Sequence, residues 1–158
     1  MQNSRQEVVF WGLKLRLAFF LHSIIESDIF KIEIKMDFSK FTIRTQEAIQ
    51  QAVEKAKGLE HQAIEPAHLL SVLIKKEDDV LSFLLNHQSV DKKVLFSSVE
   101  KILTSLPKVT GGEPYLGRDL SSVFEKSLSL SKEAGDEYVT LEYVFLSLVV
   151  VNSHLTNV

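Results

Sequence analysis

Residues 63–74 read Ala-Ile-Glu-Pro-Ala-His-Leu-Leu-Ser-Val-Leu-Ile. Residues 138–149, 75 positions on, read Tyr-Val-Thr-Leu-Glu-Tyr-Val-Phe-Leu-Ser-Leu-Val. Glu65-Pro66 marks a helix start, because proline at the first helical position loses no hydrogen bond and presets the backbone angle. Leu69, Leu70, Val72, Leu73 and Ile74 then make the helix apolar on nearly all sides, which predicts burial. In the later stretch Thr140 is placed to cap a segment carrying Val144, Phe145, Leu146, Leu148, Val149 and Val150. Sliding the chain by 75 residues sets Ile49 on Phe124, Val53 on Leu128, Lys57 on Lys132 and Ile64 on Val139. It also sets Leu69 on Val144, Leu70 on Phe145, Leu73 on Leu148 and Ile74 on Val149. Two helices and the short loop between them match in order, so a shared helical period alone does not account for the match; a duplicated unit does.

Outward from this core the pattern stays helical. Ile49, Ala52, Val53 and Ala56 recur on one face of a first helix, with Thr42 as its N-cap. Gly58 is expected to end it through the left-handed conformation glycine adopts readily. A third helix follows Asp78-Asp79, with Val80, Leu81, Phe83, Leu84 and Leu85 expected inward. A fourth runs from about Asp91 to Ser105 on Val94, Leu95, Val99, Ile102 and Leu103. Residues 107–117 hold two of the three prolines and three of the six glycines, which makes them a connecting loop. Leu120, Val123, Phe124 and Leu128 resume the helical spacing, and no stretch shows sustained strand alternation. The predicted fold is all-α, a duplicated four-helix repeat with pseudo-two-fold symmetry. Its first repeat spans 36–106, its linker 107–117, and its second, apparently truncated, 118–158. Residues 152–158 resemble the cap and first turn of a further helix, with Leu155 as its first apolar residue. On that reading Leu141, Val144, Phe145 and Leu148 are expected to be partly open. Residues 1–35 read as an extension outside the domain, with a degenerate targeting segment or an extra element as the other readings. Lys14 and Arg16 interrupt the apolar run of residues 8–25 before it reaches the roughly 18–20 residues a membrane span needs.

Composition narrows the function. The chain has 158 residues, 45% of them hydrophobic and 25% charged, which suits one globular domain. A net charge of -3 gives no long-range attraction to nucleic acid or anionic lipid, so neither is an expected partner. The absence of cysteine excludes disulfides, thiolate metal sites and cysteine catalysis, and it suits a cytoplasmic setting.

No catalytic or cofactor motif emerges. A phosphate loop needs the pattern G-x-x-x-x-G-K-[ST], whose amides cradle phosphate, and no Gly-Lys pair occurs in the chain. Gly111-Gly112 therefore reads as a flexible turn, and no ATPase activity or bound cofactor is expected. Glu65 and His68 have the spacing of a carboxylate–histidine metal pair. A second such pair is lacking, so Glu65 reads as a first-turn acid favoured by the helix dipole and His68 as a neighbour of the core. His61, His87 and His154 read as solvated surface or loop residues. A helix-turn-helix reading fails, because the loop after Gly58 is too long and the second helix is apolar rather than basic.

Four stretches resemble one family. They are Phe41-Thr42, the run from Ala63 to Leu70, Leu106-Pro107-Lys108-Val109-Thr110-Gly111-Gly112, and Gly135-Asp136-Glu137-Tyr138-Val139-Thr140-Leu141-Glu142. In order and spacing they resemble the duplicated N-terminal domain of Clp ATPases, from about residue 36 to 158. The Leu-Pro-Lys-Val loop looks more like the ClpB-type disaggregases than the protease-partnered members. The resemblance implies a module that engages unfolded or aggregated polypeptide for an ATPase ring whose motor domains this chain lacks. The alternative it implies is an adaptor-docking domain of a Clp protease subunit. It also implies substrate handling by the residues that match a threonine before the first helix and two acids in the second half, here Thr42, Asp136 and Glu142. Each has a plainer reading, Thr42 as a helix cap and the acids as a loop residue and a first-turn residue.

Overall fold

The computed structural model describes residues 37–76, 79–87 and 89–151. The expectations for residues 1–35, His154 and the segment 152–158 lie outside these. A 3-10 turn at Phe38–Lys40 leads into helix α1, Ile43–Gly58, followed by strand β1, Ala63–Ile64, and helix α2, Pro66–Lys75. Helices α3, Asp79–His87, and α4, Lys92–Ser105, complete the first half. Strand β2, Tyr115–Leu116, then precedes α5, Arg118–Ala134, and α6, Leu141–Val150. The fold is all-α, as expected.

Of the two caps expected from sequence, Thr42 makes its cap bond and Thr140 does not. Thr42 caps α1, its hydroxyl accepting from the Thr45 amide at 3.4 Å, and Asp91 caps α4 by accepting from the Lys93 and Val94 amides. Thr140 is the N-cap of α6 but makes no side-chain cap bond. Gly58 is the last residue of α1 rather than its left-handed stop. The positive φ falls two residues later, at Glu60 (φ 61°), whose amide bonds to the Lys57 carbonyl. In the second half Gly135 (φ 81°) stands at that place and bonds in the same way to Lys132.

Helix α2 is the hub. Every residue from Pro66 through Ile74 is buried, because α1, α4, α5 and α6 all pack on it. Helix α6, its counterpart, packs on α5, α2 and α3 and is less enclosed. Leu141, Val144 and Leu148 are buried there, against the expectation that they stand open, and Leu146, Val149 and Val150 are exposed instead. Phe83 and Val94, expected inward, are exposed as well. Leu81 and Leu85 already meet the core from the other side of α3, while Val99 and Leu103 do so on α4.

The linker is not wholly irregular. Its β2 pairs in parallel with β1, matching Ala63 with Tyr115 and Ile64 with Leu116. A parallel bridge joins Phe41 to Val139, and it is the same contact in the other half, since each residue is 75 positions from its counterpart. The Thr42 amide donates to the Val139 carbonyl at 3.0 Å, and the Gly117 amide donates to the Ile64 carbonyl at 3.0 Å. Each half thus contributes the strand before its first helix to the strand between the other half's two helices. Glycine is needed at 117, where Thr42 stands in the first half. A Cβ there would lie 2.7 Å from Glu65 Oε1 and 2.9 Å from the Ile64 carbonyl oxygen.

Candidate functional site

The bridge between Phe41 and Val139 fixes where the three expected site residues lie. Thr42 follows Phe41, whereas Asp136 and Glu142 stand three residues before and after Val139. The fold therefore brings the three segments to one junction, where the entry to α1 meets the exposed turn and first helical turn of the second half. Phe41 is anchored there by stacking edge-on against Phe124, with ring centroids 5.7 Å apart, and Phe38 completes the cluster.

Hydroxyl protons are ordered across this junction. Thr45 donates its hydroxyl to the Val139 carbonyl at 3.2 Å. Its oxygen therefore accepts at 2.8 Å from the Thr42 hydroxyl, which in turn accepts from the Thr45 amide. Thr42 is thus a working cap whose one proton is committed inside the fold, and what it offers outward is limited to a lone pair. Asp136 is exposed and accepts from the Tyr143 hydroxyl, an interaction that raises the Tyr143 pKa. Glu142 is exposed in the first turn of α6, where the helix dipole favours its charge.

Two residues absent from the expectation sit among these. Ile43, next to Thr42, is 61% exposed, and Tyr138, next to Val139, is 47% exposed. Asp136, Glu137 and Glu142, all exposed, stand near Tyr138 along the chain. Small apolar surface bordered by charge is a common form of contact site. In sequence Ile43 passes as the first residue of an amphipathic helix. The sign available was its place on the face of α1 opposite Ala52.

The corresponding place in the first half is filled. His61, expected to be solvated, is buried, and so is His68. Nδ1 of His68 accepts from the Glu65 amide at 2.9 Å, so the neutral ring carries its proton on Nε2 and donates it to Nδ1 of His61, also at 2.9 Å. Burial lowers the pKa of His68 to about 4, with the neighbouring His61 adding to the effect. Burial, then the charge of Lys108, lowers that of His61. Both nitrogens of His68 are engaged within the fold, which removes the Glu65–His68 pair as a metal site. Among the described residues no group of three potential ligands gathers, and no helix is long and apolar enough to cross a membrane.

Residues 40–158 match the Clp repeat (R) N-terminal domain model. A ClpB chaperone of Bacteroides thetaiotaomicron is 42% identical over 123 residues, covering 78% of this chain and 14% of that protein. The chain thus spans about one-seventh of that relative's length. Its fold is similar to the Hsp104 N-terminal domain of Candida albicans, with a TM-score of 0.68 and 21% identity over 75% of this chain and 78% of that one. A ClpV N-domain solved in complex with a VipB peptide superposes with a TM-score of 0.63 and 15% identity, covering 78% and 81% of the two chains.

Proposed function

The chain belongs to the Clp repeat N-terminal domain family, and on that footing we propose that it is the polypeptide-engaging module of a ClpB-type chaperone in the cytoplasm. The observation that carries this reading is that Ile43 and Tyr138 stand exposed on the two segments that the Phe41–Val139 bridge joins, with Asp136, Glu137 and Glu142 exposed near Tyr138 in the chain. Unfolded chains present apolar side chains next to basic ones, and such a surface offers apolar contact and charge together. The match lies in the N-terminal domain and not in the catalytic ATPase part of these proteins. In this proposal ATP is bound and hydrolysed by ring-forming domains distinct from residues 40–158, and the module itself neither binds nucleotide nor catalyses.

Thr42, Asp136 and Glu142 are the proposed site residues, with unequal roles. The acids attract cationic segments, while Thr42 holds the junction in shape through its cap and its link to Thr45. An exposed charge contact contributes about 0.2–1 kcal/mol, so binding is weak, salt-sensitive and tolerant of sequence. Replacing both acids by alanine should leave the circular dichroism spectrum unchanged and weaken binding of an unfolded model protein several-fold at low salt, read by fluorescence anisotropy. Unchanged affinity would remove the acids from the site. The second reading, docking of an adaptor, is favoured by the ClpV N-domain solved with a VipB peptide. Binding of a small folded adaptor, with unfolded protein failing to bind, would replace the first reading with the second.

A further inference from the structure

The inter-repeat loop shows what an extended segment looks like when it docks on one half. The Val109 amide donates to the Glu60 carbonyl at 2.8 Å, and the Tyr115 amide donates to the Gln62 carbonyl at 2.8 Å. Between these bonds Gly112 lies against the Gln62 side chain, and Lys108 comes near enough to His61 for its charge to be felt there. The loop therefore occupies the Glu60 and Gln62 carbonyls and buries His61, while the Glu60 side chain stays exposed.

Their counterparts in the second half, Gly135, Asp136 and Glu137, are exposed. The backbone is the same: the Asp136 amide bonds to the Ser131 carbonyl as the His61 amide bonds to that of Ala56, both at 2.9 Å. Among the described residues, no extended strand bonds to this turn as the loop bonds to the first. Where Tyr115 runs extended along Gln62, its counterpart Lys40 is folded into the 3-10 turn that the Phe41 amide closes on the Phe38 carbonyl at 3.0 Å. Among the described residues, no amide donates to the carbonyl of Gly135 or of Glu137.

Building on the proposed polypeptide-binding function, we infer that the turn at 135–138 receives an extended client segment as Glu60 and Gln62 receive the loop. Two client amides donate to the Gly135 and Glu137 carbonyls. The residue before the first of these, in the place of Lys108, lies beside Asp136. Lys108 meets a histidine that gives it no attraction, whereas a basic client residue meets a carboxylate with one oxygen held by Tyr143 and the other available. The class of client is thus a basic residue followed by one whose amide is free to donate, in extended conformation. Backbone bonds make the rest of the client sequence indifferent.

The test uses a synthetic peptide of sequence 106–116 titrated into the full 158-residue chain labelled with nitrogen-15. We expect saturable shifts of the amide signals of 135–138 and of Ile43. Two altered peptides, Lys108→Glu and one N-methylated at the Val109 position, should each bind several-fold more weakly. Shifts centred elsewhere, or altered peptides that bind like the parent, would overturn the inference. An unfolded model protein added to the same sample separates this from the broader reading. If that protein binds while the signals of 135–138 stay still, the docking mode fails and the function stands. If neither ligand binds, both fail.

Discussion

His61 and His68 in the first half correspond in position to Asp136 and Tyr143 in the second, and both pairs are hydrogen-bonded across seven residues. The first pair is sealed under the inter-repeat loop, and the second lies at the surface. The backbone around them is shared, down to the left-handed residue and the bond that follows it. Among the described residues, what separates them is one covering segment. The repeat holds two equivalent places; one is part of the core, and the other stands exposed.

Truncating the two pairs is the hardest test of this contrast. His68→Ala opens a buried cavity and leaves the Glu65 amide and His61 unpaired, which should cost about 3 kcal/mol or more. Tyr143→Ala removes a surface contact and should cost less than about 1 kcal/mol. Urea unfolding of both variants measures the gap, and equal losses would mean that the second pair is as structural as the first.

Acid should distinguish the halves next. The folded pKa of His68, about 4, is below its ordinary value of 6.5, so its contribution to stability is complete above pH 6.5 and falls away as pH drops toward 4. Lys55 and Lys108 are the charges that bear on the pair, and both oppose protonation. A proton on Nδ1 of His68 would also face the Glu65 amide that now donates to it. Roughly 2 kcal/mol should be lost between pH 7 and pH 5, above the range where most carboxylates titrate. The His68→Gln variant should show a flatter profile, and an equally steep one would assign the loss to other groups.

The smallest effect concerns the turn itself. Glu60 holds a left-handed backbone that Gly135 adopts without a Cβ, so Glu60→Gly should raise stability by about 0.5–1 kcal/mol. Gly135→Glu should lower it by a similar amount. A loss in the first variant would show that the Glu60 side chain supports the loop.

Much of this was legible in the sequence. Pro66 and Thr42 announced their helices, because helix starts are a local matter. The offset of 75 residues revealed the repeat. The paired strands were not legible, since two residues are too few to show alternation and their partners are far along the chain. His61 was misread for a related reason: nothing near it in sequence tells that residues 107–114 return to cover it. The positions of Asp136 and Glu142 could be given, but the apolar pair between them required knowing that Phe41 meets Val139.

That meeting also sets a schedule. Thr45 and Val139 are 94 residues apart, and the first half's entry strand has no other partner among the described residues. At a synthesis rate of roughly 5–20 residues per second, the ribosome needs on the order of 5–20 s to supply the missing strand. During that interval α1 and α2 can form, but Phe41 has nowhere to be buried. A module proposed to hold unfinished chains must therefore itself wait as one.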